Sequence, residues 1–171
     1  RSAADFDTEN AAEMAYWMKN VMPYTEKNDG NVRWWRMKGA GQNWNNDMPP
    51  ARFIKMTTYN LKRDKSSDFF RFWRNNVKLQ KALGYSGVSG VFMLESGGQA
   101  YQVMEVEGYN SHAEGKGAFK NPDVNYIEEY NKMFGWRSHR NDQAAFNAAI
   151  EQWGITIETA ELKPEMSSKL K

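Results

Sequence analysis

The side chains of this sequence that could move a proton or hold a ligand fall in two alternating, aromatic-rich runs and at two histidines. In the run from Arg52 to Leu61, alternation puts Lys55, Thr57 and Tyr59 on one side of a strand and Ile54 and Met56 on the other. In the run from Gln99 to Glu107 it groups Tyr101, Val103, Glu105 and Glu107. If the two runs pair, a lysine and two glutamates meet among aromatic rings. Lys55 and Glu105 could then shift each other's pKa in a polar, ligand-lined interior. The competing reading is a cross-strand ion pair at a dimer interface or on an open sheet.

His112 and His139 are the only histidines, and either could act as a general base near neutral pH. His112 begins a helical segment, whereas His139 sits in the charged connector Trp136 to Arg140, which reads as exposed. With no cysteine and no paired histidine spacing, a metal site is not expected. Gly84 to Gly90 has neither dinucleotide-fingerprint spacing nor a P-loop lysine, and no nucleophile elbow is present, so no cofactor is expected.

Composition narrows the class without naming a partner. The chain has 171 residues, 40% of them hydrophobic and 14% aromatic, enough for one well-filled aromatic core. The net charge of +2 and the Asp64 that interrupts Lys62-Arg63-Asp64-Lys65 argue against nucleic acid. No apolar run is long enough to span a bilayer. The first residue is Arg1 rather than Met, which is compatible with export after signal-peptide removal or with a trimmed cytoplasmic chain.

The elements that must position these groups repeat. A helix–strand–strand pattern ending in Tyr-Asn runs through residues 15–20, 31–37 and 53–60, and again through 71–76, 88–94 and 101–110. Asn10 and Glu13 form a potential capping box before the first helix, and Asn28-Asp29-Gly30 makes a turn. Residues 39–50 have the composition of a long loop, with Trp44 in it. Trp44 could plug the core or, with Trp34 and Trp35, form a sugar-stacking platform. Ser66 or Ser67 is the expected cap of an amphipathic helix carrying Phe69, Phe72, Trp73 and Val77, and Gly84 is its stop. Ser96-Gly97-Gly98 predicts a tight hairpin. Helices follow from His112 to Phe119, from Pro122 to Phe134, and from an Asp142 cap through Trp153. Ile155 to Leu162 is the expected last strand, and residues 164–171 a polar tail.

From Arg52 onward this is the β-α-β-β-α-β order of a ferredoxin-like domain. Three segments sharpen the likeness: the strand Phe53 to Tyr59, the aromatic helix start Phe69 to Trp73, and the segment Gly117 to Phe134. Together they resemble the dimeric α+β barrel superfamily, which includes antibiotic-biosynthesis-type monooxygenases and NIPSNAP-like proteins. An RNA-recognition domain shares the order, but Gln99 to Glu107 lacks an aromatic-basic run and carries two glutamates. The resemblance covers residues 52–163 and implies an α+β fold. Its antiparallel sheet carries helices on one face and pairs into a dimeric or pseudo-dimeric barrel. Residues 1–50 are then a degenerate first repeat or a helix–strand extension, and residues 51–163 the ferredoxin-like domain.

In that arrangement Ile54, Met56, Val91, Met93, Met104 and Val106 should face the helices. Lys55, Thr57, Tyr59, Phe92, Tyr101, Val103, Glu105 and Glu107 should face away. The resemblance also implies a homodimer through the sheet faces and a small aromatic or amphipathic ligand. Cofactor-independent monooxygenase or isomerase activity is the expected chemistry. Cofactor-free oxygenases of this fold use Trp, Asn and Tyr side chains, so Tyr59, Asn76 and His112 are the catalytic candidates. Trp73, Phe92, Tyr101, Lys55 and Glu105 are the substrate-binding ones. The alternative is a non-catalytic assembly subunit that docks other chains through an aromatic-rich surface.

Overall fold

A computed structural model describes residues 11–20, 22–24, 32–44, 49–117 and 123–163. Two compact units divide after Asn31. In the first, helix α1 (Ala11–Asn20) is followed by a single 3-10 turn, Met22–Tyr24, where Pro23 ends the α-helical ladder. The Asn10 end of the expected capping box, the turn at 28–30, residues 118–122 and the tail from Pro164 lie outside the described residues.

The second unit is α+β. Its strands are β1 (Arg33–Arg36), β2 (Phe53–Leu61), β3 (Val88–Ser96), β4 (Gln102–Tyr109) and β5 (Ile150–Glu161). They form one antiparallel sheet in the order β1-β3-β4-β2-β5. The helices are α2 (Ser66–Ala82), α3 (His112–Gly117), α4 (Tyr126–Phe134) and α5 (Ser138–Ala149). The repeated helix–strand–strand order therefore does not extend to pairing: β3 and β4 form a hairpin, whereas β1 and β2 lie on either side of it.

Local chemistry explains most boundaries and corrects several expectations. Helix α2 ends in a Schellman motif, with Gly84 N–H donating to Lys81 O and Tyr85 N–H to Gln80 O, made possible by Gly84 at φ +69°. Its start is not a serine cap. Lys65 holds the cap position without a side-chain bond, and its carbonyl accepts from the N–H groups of Asp68 and Phe69. The hairpin between β3 and β4 is not a two-glycine turn. It is a five-residue loop, Gly97 to Tyr101, with positive φ at Gly97 and Tyr101, because β3 runs on to pair Leu94 and Ser96 with β1. Helix α5 starts four residues before the expected Asp142 cap and stops at Ala149, so Ile150 to Trp153 belong to the last strand.

The core lies between the sheet and α2 and α5. Phe69, fully buried, stacks on Phe146 at 4.7 Å and on Trp73 at 5.8 Å, and meets Tyr59 of β2 edge-on at 5.2 Å. Leu61, Val91, Val103 and Ile150 complete the cluster. Trp44 does not plug the core beneath the helices. The loop does fold back, with Gln42 bridging Ser89, but Trp44 packs on the other face of the sheet, edge-on to Phe92 and under the Arg36 guanidinium. A Cβ at Gly90 would stand 2.8 Å from the Trp44 ring, so glycine is what admits the indole there.

One polar hub ties α2, α4 and α5 together. Asp142 accepts hydrogen bonds from Arg71 Nε at 3.0 Å, Asn75 Nδ2 at 3.1 Å and the hydroxyl of the fully buried Tyr130 at 2.9 Å. Removing the carboxylate strands a buried hydroxyl, whereas removing the hydroxyl leaves Asp142 its other donors. Asp142→Ala should therefore cost about 2–3 kcal/mol and Tyr130→Phe about 1 kcal/mol, read as shifts in the urea unfolding midpoint.

Candidate functional site

The register of the sheet, rather than any loop, assembles the polar group. Lys55 lies directly opposite Glu107, Thr57 opposite Glu105 and Tyr59 opposite Val103. On its other side Glu105 is opposite Val91. Tyr59, Val91 and Val103 belong to the core under α2 and α5, so Lys55, Thr57, Glu105 and Glu107 share the helix-covered face.

This reverses the expected faces for two strands. Val91 and Met93 do face the helices, but Ile54, Met56, Met104 and Val106 lie on the opposite face with Phe92. Lys55, Thr57, Tyr59, Val103, Glu105 and Glu107 lie beneath the helices. Both sides of β2 carry apolar groups, so alternation alone leaves the choice open. The aromatic side wins because Phe53, Tyr59 and Leu61 bury more surface than Ile54 and Met56.

Within the row the charges are unequal in their partners. Lys55 Nζ donates to Glu107 Oε2 at 2.7 Å. Burial pulls the lysine pKa down, but the hydrogen bond and charge of Glu107, with the charge of Glu105, carry it above its ordinary value. Among the described residues no ammonium or guanidinium forms an ion pair with Glu105. Burial, then repulsion from Glu107, pushes its pKa up to about 8, against the opposing pull of Lys55 and of the Tyr59 hydroxyl, which donates to it. Burial and the two glutamates raise the Tyr59 pKa in turn. At neutral pH the row thus holds one ammonium–carboxylate pair and, beside it, a largely protonated carboxyl. Such a carboxyl can donate a hydrogen bond, and it can exchange a proton within one pH unit of neutrality.

The other candidates are distributed around this row. Phe53 and Tyr109, one step of about 7 Å along the strands from Lys55 and Glu107, stack at 5.4 Å, and His112 lies 4.5 Å from the Phe53 ring. Trp73 packs in the core and donates from Nε1 to Ala40 O at 2.9 Å. Phe92 is on the opposite face, and Tyr101 is in the hairpin loop. Asn76 accepts from the Tyr126 hydroxyl at 2.6 Å and is not brought to Tyr59 or His112. His139 is not in an exposed connector. It lies in α5 against Phe72, Tyr126 and Tyr130, where burial lowers its pKa and Asp142 opposes the shift.

Sequence reasoning had placed Glu107 on a strand face but not in the site. Its signal was the alternation Val103, Glu105, Glu107, with a lysine two residues before Thr57 on the facing strand. Among the described residues no three side chains are grouped to hold a metal ion, and no helix is long and apolar enough to cross a membrane. No protein-family model and no curated protein matches the chain.

Glu105 has a direct consequence for stability. Its pKa is raised on folding, so between the ordinary glutamate value and about 8 the folded chain holds a proton that the unfolded chain has released. Its contribution is complete at low pH and is lost as pH rises through about 8. Urea unfolding should show stability falling by up to about 1.4 kcal/mol per pH unit from this group between pH 5.5 and about 8 and levelling off above it, and Glu105→Gln should flatten that slope.

Proposed function

We propose that residues 51–163 form a ferredoxin-like, small-molecule-binding domain whose ligand sits on the helix-covered face of the sheet, against Lys55, Tyr59, Glu105 and Glu107. The fold part of this reading is supported by the strand order β3-β4-β2-β5, in which β4 separates β2 from β3 and α2 makes the crossover between them. The resemblance to dimeric α+β barrels extends the proposal to a homodimer formed by the open sheet faces. Ile54, Met56, Phe92 and Met104 supply the apolar side chains such a contact needs.

The observation that carries the ligand reading is the Glu105 carboxyl, held by Tyr59 beside an ion pair that leaves it no cation of its own. A purely structural row would be stable with an apolar residue in that place. A carboxyl titrating near pH 8 is suited to take a proton from a weakly acidic carbon or hydroxyl and return it. An isomerisation needs only that transfer. A cofactor-independent oxygenation begins with the same proton removal and then takes up dioxygen.

In this scheme Tyr59 positions Glu105, and Lys55 steadies negative charge that develops on the ligand. Phe53, Tyr109 and His112 offer rings at the end of the row for a flat, aromatic or amphipathic substrate. The assembly-subunit reading draws its support from elsewhere, the exposed apolar residues of β5.

Native mass spectrometry of the protein purified from its source, beside a denatured spectrum, should reveal a retained small molecule. Titration with that molecule should perturb the amide resonances of Lys55, Tyr59 and Glu105. Glu105→Gln should weaken binding by about tenfold and remove a pH dependence centred near 8. A bare mass, together with no response of this row to a panel of aromatic acids, phenols and amines, would overturn the reading.

A further inference from the structure

Strand β5 ends the sheet. It pairs with β2 along one edge, and among the described residues no strand pairs with its other edge. The direction of its free backbone groups follows from one hydrogen bond. Leu162 N–H donates to Arg52 O at 2.8 Å, which continues the register that sets Ala160 opposite Ile54, Glu158 opposite Met56 and Thr156 opposite Thr58. Those even-numbered residues direct their N–H and C=O groups at β2. The odd-numbered ones, Ile155, Ile157, Thr159 and Glu161, direct theirs outward.

The same stretch is apolar where it should be guarded. Ile155 is 50% exposed, Ile157 62% and Trp153 92%. Edge strands are ordinarily protected by charge, proline or a bulge. Here the bulge comes early: Ile150 is opposite Leu61 and Ile155 opposite Tyr59, with Trp153 at φ +62° between them. From Ile155 to Glu161 the edge is regular.

We infer that two copies of this chain pair antiparallel through the outer edge of β5, about a twofold axis at Ile157. Side-chain charge selects the register. Centred on Glu158, the pairing sets that glutamate against its own copy, which is unfavourable. Centred on Thr159, it sets Ile157 against Glu161 and leaves Ile155 out. Centred on Thr156, it soon runs into the bulge. Centred on Ile157, it places Ile157 against Ile157 of the other copy, Ile155 against Thr159, and Thr156 against Glu158, with no like charges opposed. The outward backbone groups of Ile155, Ile157 and Thr159 then find partners across an isologous contact. Only a short segment joins, so the association is weak and depends on concentration. The contact uses a different surface from the open sheet face, and it stands or falls independently of the ligand reading.

The absence of cysteine from the chain makes a clean test possible. Residues that exchange backbone bonds across an antiparallel pair have Cα atoms about 5.5 Å apart, within disulfide reach. Under mild oxidation Ile157→Cys should give a covalent dimer severalfold faster than Ile155→Cys or Thr159→Cys alone. An equimolar mixture of the last two should give the mixed dimer. In sedimentation velocity the unaltered protein should show a reversible, concentration-dependent association step that Ile157→Lys abolishes and that Met56→Lys, on the open sheet face, leaves in place. Equal cross-linking rates for the three single variants, or self-association unchanged by Ile157→Lys, would overturn the inference.

Discussion

Strand β2 is the constraint on which the rest of the second unit depends. The backbone groups of its odd-numbered residues pair with β4 and those of its even-numbered residues with β5, so it is held on both edges along its length. The side chains of the same odd-numbered residues point under the helices. A central strand cannot slip by one residue without turning Phe53, Tyr59 and Leu61 out of the core and Ile54 and Met56 into it. The clamp of Phe69, Trp73 and Phe146 on Tyr59 makes that exchange costly. Lys55 and Thr57 lie between the anchored residues and have no freedom to face elsewhere.

The polar row under the helices is therefore a consequence of packing at its two ends. Phe53 with Tyr109 fixes one end, and Tyr59 with the core cluster fixes the other. Opposite them β4 delivers Glu105 and Glu107 at the same spacing, and the two glutamates meet different partners. Glu107 is neutralised by Lys55 at 2.7 Å, while Glu105, set between Val91 and Thr57, is held mainly as the acid. Two residues of one type, one step apart on one strand, differ because Glu107 meets a lysine, while burial and the charge of Glu107 raise the pKa of Glu105. The Asp142 hub follows the opposite logic: three donors converge on one carboxylate, which joins three helices.

Much of this could be read from the chain, and the failures have physical causes. The aromatic helix from Phe69, the glycine stop at Gly84 and the strand from Phe53 were legible because each rests on local periodicity or on a residue with a special backbone conformation, and the pairing of that strand with the one through Glu105 was expected from the ferredoxin-like order. The helix cap at Ser66 was misplaced because the chain enters α2 directly from the turn at Lys62 to Lys65. The length of the hairpin loop depended on β1, which captures the end of β3 from a distant part of the sequence. His139 read as exposed from its charged neighbours, yet α5 begins early enough to turn its ring onto Tyr130.

By itself the sequence determined the kinds of element, their order, and which residues of each strand travel together on one face, because backbone conformation and the two-residue period of a strand are local properties. It also placed a lysine and two glutamates on two alternating strands. Only the tertiary structure decided which face of β2 lies under the helices, that Lys55 joins Glu107 rather than Glu105, and that β1 and β2 lie on opposite sides of the β3–β4 hairpin. Those outcomes turn on the relative burial of two competing apolar faces and on contacts between residues far apart in the chain, and no local pattern encodes either.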